Sequence, residues 1–461
     1  MRRRITTTAA VATALLATGL APLALSTPAT AAAAKYADDF NGDGYRDYAE
    51  YSYGAEYEAP GGAVKITFGT ANGPGTRVQY VSQNTAGVPG SDEADDNFGE
   101  VRAAADFNAD GYGDLAVAAT GEDLAGRLNA GTVTILWGSR TGLSGGTDLP
   151  SRTHTSYGRM GADLAVGDFN GDGKKDLALV ASGKAWVYLG TISRTGVAGS
   201  ITSYDRDNIY FEVTSLVAGN VTGDNKTDLV AIGDVVGENS IGSDAWFLKG
   251  GSKMVPGRTL RLEGKNSAGG ESQRGGDGVI ADFDKDGKGD IAIGTPLFSS
   301  YRGEVSVWYG AAAGPAKSAR FTQNTAGIAD TAETDDRFGA SIAAGDINGD
   351  GYRDLAIGSY GERIAGQPYA GGFHVLYGRA GGLSTAGSQW LARSSTGIPG
   401  NVTDGDMFGA KLRLRDGNGD GKADLYVSGG NGSVRLLGSA TGLRTTGVTS
   451  VPETLIDGML P

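Results

Sequence analysis

Seven copies of one nine-residue pattern run through this chain, and any fold it adopts has to place all seven. The copies begin at Asp39, Asp106, Asp168, Asn220, Asp282, Asp346 and Asp416. The sixth reads Asp346-Ile-Asn-Gly-Asp-Gly-Tyr-Arg-Asp354. Successive starts lie 67, 62, 52, 62, 64 and 70 residues apart. Self-similarity at such a period marks a repeat architecture, in which each unit is one small supersecondary element that needs its neighbours.

The surroundings of each copy repeat as well. A short segment of small and apolar residues precedes it, such as 339–345. An apolar run follows, such as Leu115-Ala-Val-Ala118 or Leu355-Ala-Ile357. A third run ends in an aromatic residue or Leu and then Gly, as in Ile135-Leu-Trp-Gly138. A turn comes next, and a more polar fourth run closes the unit. These runs are short, rich in β-formers and bounded by Gly, Asn and Asp, which is the pattern of strands. Glycine supplies 78 of the 461 residues, more than twice the usual ~7%. Tight hairpins use glycine because it reaches positive φ without penalty. Four strands per unit, seven times over, predict an all-β chain: a seven-bladed β-propeller of four-stranded blades across residues 35–461. Radial repetition leaves only short, protected sheet edges.

The nine-residue pattern itself carries the chemistry. Oxygen side chains stand at positions 1, 3, 5 and 9, a glycine at 6 permits a sharp turn, and the carbonyl of position 7 can add a further oxygen. Such a set of hard ligands in a turn suits Ca²⁺ over Zn²⁺, and over Mg²⁺, which keeps its waters. The predicted ligands are Asp39, Asn41, Asp43, Tyr45 and Asp47 in the first loop, and Asp106, Asn108, Asp110, Tyr112 and Asp114 in the second. The third offers Asp168, Asn170, Asp172, Lys174 and Asp176, and the fifth Asp282, Asp284, Asp286, Lys288 and Asp290. The sixth offers Asp346, Asn348, Asp350, Tyr352 and Asp354, and the seventh Asp416, Asn418, Asp420, Lys422 and Asp424. Tyr and Lys at position 7 enter through their carbonyls. The fourth loop departs: Asn220, Thr222 and Asn225 replace Asp, Asn or Asp, and Gly, while Asp224 and Asp228 remain. About six bound Ca²⁺ are therefore expected, with the fourth loop the weakest.

Phe98-Gly99, Phe338-Gly339 and Phe408-Gly409 stand before the second, sixth and seventh loops. With the loops and the glycine-rich segments after the next strand, the chain resembles the FG-GAP (VCBS-type) repeat family, known from the seven-bladed propeller of integrin α-subunits. The resemblance covers roughly residues 35–461. It implies calcium loops between the first two strands of each blade, on one face, with ligands meeting the opposite face. The first repeat lacks the preceding Phe-Gly, and the third has Tyr157-Gly158 and Met160-Gly161 instead. An imperfect first blade is expected.

Residues 1–34 read as a secretory signal peptide: Arg2, Arg3 and Arg4, an apolar stretch from about Ala9 to Leu25, then small residues offering A-x-A sites. Its removal takes the net charge from −13 to −16. Six calcium ions would return most of that, leaving about −4, because unscreened like charge in the loops opposes the fold. An acidic chain is a poor ligand for nucleic acid. No second hydrophobic span follows, so no membrane span is expected, and a monomer is. Cysteine is absent, and the two histidines, His154 and His374, are isolated, which leaves no zinc set.

Gly142-Leu-Ser144-Gly-Gly146 matches G-x-S-x-G but lies in a recurring interstrand turn, whereas a nucleophile elbow needs a helix after the serine. Trp137, Trp186, Trp246 and Trp308 fall at third-strand positions, suited to packing blade on blade. Long acidic or Ser/Thr-rich connections at 85–97, 325–337 and 396–407, with 121–131 and 361–371, predict an enlarged sector on blades six, seven, one and two, away from the calcium loops. Enlarged loops on a rigid scaffold carry function. The function predicted is an exported calcium-binding module for a glycan or protein ligand. The alternative is a polysaccharide lyase or hydrolase built on the propeller.

Overall fold

The computed structural model describes residues 33–54, 59–152, 155–206, 210–237, 240–262, 266–267 and 277–460. The predicted signal segment, apart from its last two residues, and His154 lie outside them. Seven antiparallel sheets follow one another in chain order, with the strands of each sheet in sequential order. Blade two is typical: Arg102–Ala105, Asp114–Ala119, Thr132–Trp137 and Ser144–Asp148. The first strands of blades two to seven lie side by side around an axis. The chain is a seven-bladed β-propeller, as the repeat predicts.

Burial explains the sequence pattern. All six residues of Asp114–Ala119 and all six of Thr132–Trp137 are buried. A middle strand is covered on both faces by the neighbouring blades, so it reads as a continuous apolar run rather than an alternating one. The outer strand Ser144–Asp148 has no fully buried residue, which matches its polar sequence. Trp137, Tyr188, Met160 and Leu179 share one cluster between blades two and three. Trp137, Trp246 and Trp308 are buried and Trp186 is half-buried against that cluster, so all four pack blade on blade. Ser144 begins a strand, and Gly142 turns at φ +92° against Phe68. That is a turn, not an elbow.

Two blades depart from four strands. In blade four, Asn266–Ser267 adds a short fifth strand to Ser240–Lys249. Among the described residues blade one has three strands, Tyr48–Gly54, Ala59–Thr70 and Gly73–Val81, with no strand ahead of its loop. A helical turn at Glu453–Asp457 follows the last strand of blade seven. Ala49 N donates to Gly458 O at 2.9 Å, and Leu455, Ile456 and Met459 are buried with Tyr48 and Tyr426. Arg102 of blade two donates to Asp457 O, Lys411 of blade seven pairs with Asp457, and Arg415 of blade seven pairs with Asp38. Asp38 and the segment 453–459 thus tie blade one to its neighbours, blades two and seven, and close the ring.

Candidate functional site: the nine-residue loops

Each loop is wound by its own side chains. In the second, Asp106 Oδ1 accepts from Asp110 N and Oδ2 from Gly111 N, both at 3.1 Å. Asn108 Oδ1 accepts from Asp110 N at 2.9 Å, and Asp110 Oδ1 accepts from Tyr112 N at 3.1 Å. The same contacts wind the first loop through Asp39, Asn41 and Asp43, and the third through Asp168, Asn170 and Asp172. Asp282, Asp284 and Asp286 wind the fifth, and Asp416, Asn418 and Asp420 the seventh. In the sixth, Asp346 accepts from Gly349 N and Gly351 N, and Asn348 and Asp350 keep their roles. Chain order therefore brings positions 1, 3 and 5 together in all six loops.

Position 9 ties each loop to its blade. Asp114 is fully buried, its Oδ2 accepting from Phe107 N at 2.9 Å and its Oδ1 from Gly138 N at 2.8 Å. Asp47, Asp176, Asp290, Asp354 and Asp424 likewise accept from the loop's second position and from a glycine in or just after the strand that pairs with the one following the loop. The carboxylate staples the loop to the blade, and apart from Asp176 Oδ2, which also accepts from Asn170 N, each oxygen keeps a second lone pair. Burial raises these carboxyls, Asp47, Asp114, Asp290 and Asp354 to about 7 and Asp176 to about 6. Desolvation opposes the charge, and an adjacent cation would favour it. In the fifth loop, Asp282, Asp284 and Asp290 offer oxygens all within 4.8 Å of one another. The other five regular loops have Asn at position 3, so the same place holds an amide oxygen. An all-oxygen set of this kind fits a hard cation.

Two features of the loops escaped the sequence reading. Position 4 has positive φ in every loop: Gly42, Ala109, Gly171, Gly223, Lys285, Gly349 and Gly419 lie between +57° and +79°. Glycine in five of the seven copies was the available signal. Position 6 is positive too, and in the fourth loop Asn225 adopts it at +63°, which asparagine tolerates. The loops also interlock. Position 8 N donates to the position 1 carbonyl of the preceding loop at Gly113–Asp39, Thr227–Asp168, Gly289–Asn220, Arg353–Asp282 and Ala423–Asp346. The period of the repeat could not show which loops touch.

The fourth loop carries its own positive charge. Asp224 faces Lys226 at 3.6 Å and Lys249 at 3.5 Å; burial opposes its charge, but the Lys226 N–H and the two lysine charges together hold its carboxyl below the usual range. Asp228 keeps the staple, accepting from Val221 N, Thr222 N and Gly250 N.

The long connections emerge at the other end of the strands. Loops 85–97 and 121–131 meet there through Gly121 N and Asp96 O, and 325–337 meets 361–371 through Gly361 N and Asp336 O. Phe98, Phe338 and Phe408 are fully buried beneath them. Gly99, Gly339 and Gly409 donate to the second strands at Ala118 O, Gly358 O and Ser428 O. A Cβ on Gly339 would stand 2.8 Å from Glu304 O, so the glycine of each Phe-Gly pair is sterically required. Met160-Gly161 does the same in blade three through Val180 O. His374 is fully buried, stacked on Trp390 at 4.4 Å and edge-on to Phe338. Burial lowers it to about 3, so it is neutral packing. No described helix is long and apolar enough to cross a membrane.

Comparison with known proteins agrees with this construction. The FG-GAP repeat matches residues 98–136, 275–308 and 338–376, and the FG-GAP-like repeat matches 168–231. Phosphatidylinositol-glycan-specific phospholipase D of Rattus norvegicus is 37% identical over 151 residues, 29% of this chain and 18% of that protein. Integrin alpha-8 of Mus musculus is 32% identical over 227 residues, 46% of this chain and 18% of that protein. Integrin alpha pat-2 of Caenorhabditis elegans is 26% identical over 335 residues, 66% of this chain and 25% of that protein. The chain therefore spans a quarter or less of the length of these relatives. The V. cholerae biofilm matrix protein Bap1 superposes with a TM-score of 0.43 at 13% identity, over 92% of this chain and 81% of that one.

Proposed function

From the premise that this chain is an FG-GAP repeat protein with an integrin-α-like propeller, we propose that it is an exported, calcium-stabilised binding module. Its ligand is a glycan or protein surface outside the cell, and it works as a monomer. The calcium sites are the six regular loops. Asp at position 1, Asn at position 3 (Asp284 in the fifth loop), Asp at position 5 and the stapling Asp at 9 supply the side-chain oxygens, with the carbonyls of Tyr45, Tyr112, Lys174, Lys288, Tyr352 and Lys422 beside them. The fourth loop takes no ion, because Asn220 and Thr222 replace the ligands of positions 1 and 3 and its remaining Asp224 is paired with Lys226 and Lys249. The leader at residues 1–34 directs export, and the ring begins at residue 35.

The observation that carries the binding assignment is the concentration of long, cross-linked connections in one sector of the face opposite the calcium loops. Blades one, two, six and seven adjoin in the closed ring. Blade three, by contrast, joins its second and third strands through only Ser182 and Gly183. The sector's rim is acidic, with Glu93, Asp95, Asp123, Asp330 and Glu333 exposed. It therefore suits a cationic ligand, or one bridged by a metal ion, and binding weakens as salt screens it. A glycan array and a surface-protein pull-down with calcium present identify the ligand. Neutralising Glu93, Asp95, Asp330 and Glu333 together to amides is then expected to lower affinity at least tenfold. An unchanged affinity places the site elsewhere.

A further inference from the structure

Three connections in the enlarged sector use one backbone lock, and only one of the three contains a positive charge. The backbone equivalence is direct. Gly121 N donates to Asp96 O at 2.9 Å, Gly361 N to Asp336 O at 3.1 Å, and Gly430 N to Asp406 O at 2.7 Å. Asp96, Asp336 and Asp406 are all buried. The side chain reaching each lock from the end of the preceding outer strand is Gln83, Gln323 or Arg393. The residue after the donating glycine is Glu122, Glu362 or Asn431.

In the third lock, Arg393 Nε donates to Asp406 Oδ2 at 2.9 Å, with both side chains buried. Its other nitrogens reach Pro399 O and Gly432 O at 2.5 Å, and Asn431 N donates to Asp406 Oδ1 at 2.6 Å. One guanidinium, one carboxylate and one amide leave it neutral. The other two locks hold two carboxylates and one amide each. Gln83 Nε2 donates to Glu122 Oε2 at 2.5 Å, and Gln323 Nε2 donates to Glu362 Oε1. Gln83 is 4% exposed and Gln323 1%, yet Oε1 of each has no hydrogen-bond partner. Arg302 pulls weakly on Asp336 while its Nη1 donates to Ser299 O.

A buried carboxylate pair without a cation is expensive. The cost shows in Glu362, which burial and then Asp336 push up to about 9, and in Glu122, which burial raises to about 7. The molecule has solved the same position once with a guanidinium. In the other two it presents oxygen ligands and an orphaned amide oxygen, repeated identically.

We propose that these two locks are divalent-cation sites of the calcium class. Asp96, Glu122 and Gln83 Oε1 hold one ion, and Asp336, Glu362 and Gln323 Oε1 hold the other. Two carboxylates and an amide oxygen are hard ligands that Ca²⁺ accepts, with water completing its shell. The ions tie the strand-linking loops of blades two and six to the connections that enter them, on the face away from the nine-residue loops. Calcium would then set the shape of the enlarged sector directly, through residues that the nine-residue loops do not include.

Exchanging the locks tests this. Native mass spectrometry counts the ions bound at saturating calcium. Gln323→Arg with Glu362→Asn installs the third lock's chemistry, and the count is expected to fall by one. Adding Gln83→Arg with Glu122→Asn lowers it by two in all. The reverse pair, Arg393→Gln with Asn431→Glu, raises it by one. An unchanged count in the folded four-residue exchange overturns the proposal without touching the assignment of the nine-residue loops. A pH dependence of stability that is the same with and without calcium, and that Glu362→Gln abolishes, also overturns it, because a shared proton then holds the lock. If the exchanges do not fold, crystals of the native chain soaked in Tb³⁺ decide. Anomalous peaks beside Gln83 and Gln323 support the sites, and their absence refutes them.

Discussion

Asp228→Asn separates the two tasks of the loop's last carboxylate, because the fourth loop has the staple without the calcium pattern. Asp228 is fully buried, with Oδ2 accepting from Val221 N and Thr222 N at 2.9 Å and Oδ1 accepting from Gly250 N at 2.8 Å. Asparagine has nearly the same shape but offers one oxygen. Whichever way the amide turns, at least one backbone N–H loses its acceptor and faces an NH₂ group. Leaving one buried donor unsatisfied costs about 1–3 kcal/mol. Asp114→Asn meets the same arithmetic, since its two oxygens serve Phe107 N and Gly138 N separately. Urea unfolding followed by the buried tryptophans measures both. In excess EDTA the two variants are expected to lose similar stability. With calcium restored, the deficit of Asp114→Asn grows because a ligand is also lost, while that of Asp228→Asn stays constant. A cost below about 0.5 kcal/mol for Asp228→Asn in EDTA would refute the staple.

The other expectations can be checked on the same footing. Chelation lowers the melting temperature, since a site held at 100 times its Kd contributes about 2.7 kcal/mol; an unchanged melt after metal-free dialysis contradicts it, and Asp350→Ala should cost more than Asp224→Ala. Ala109→Gly relieves left-handed backbone at +57° and is expected to stabilise by about 1 kcal/mol in thermal melts; destabilisation would disprove the strain. In EDTA, Glu362 and Asp336 stand at about 9 and about 7, above their unfolded values. The folded chain keeps protons that the unfolded one releases, so stability is full below about pH 4 and falls as pH rises through 9. Glu362→Gln should flatten that slope, and an equal slope in the variant sinks the assignment.

Much of the architecture was legible because it is periodic. A ligand pattern at near-constant spacing gave the blade count, and the apolar runs after each loop gave the buried middle strands. What the sequence concealed is aperiodic or distant. Ring closure depends on Leu455, Ile456 and Gly458, which belong to no repeat, so an imperfect first blade could be expected but not the segment that packs against it. The staple made by Asp47 or Asp354 depends on a glycine 22 or 24 residues away. The locks join Gln83 to Glu122 across 39 residues. Their trace was in view, since Gln-Asn-Thr-Ala-Gly occurs at 83–87 and 323–327 and Gly-Glu at 121–122 and 361–362. Shortening the connections over 91–96, 331–336 or 401–405 would also alter this sector, but less cleanly. Asp92 accepts from Gly61 N, Asp96 and Asp336 sit in the locks, and Gly405 donates to Pro368 O. Deletions there remove structural bonds along with any contact surface, which is why side-chain neutralisation is the cleaner probe.

The most direct test of the central claim is the location of bound ions by anomalous scattering from crystals grown in millimolar calcium. The account predicts an ion in the first, second, third, fifth, sixth and seventh nine-residue loops, beside Asp43, Asp110, Asp172, Asp286, Asp350 and Asp420, and none beside Asp224. Empty regular loops, or an ion in the fourth loop as strong as in the others, would contradict it.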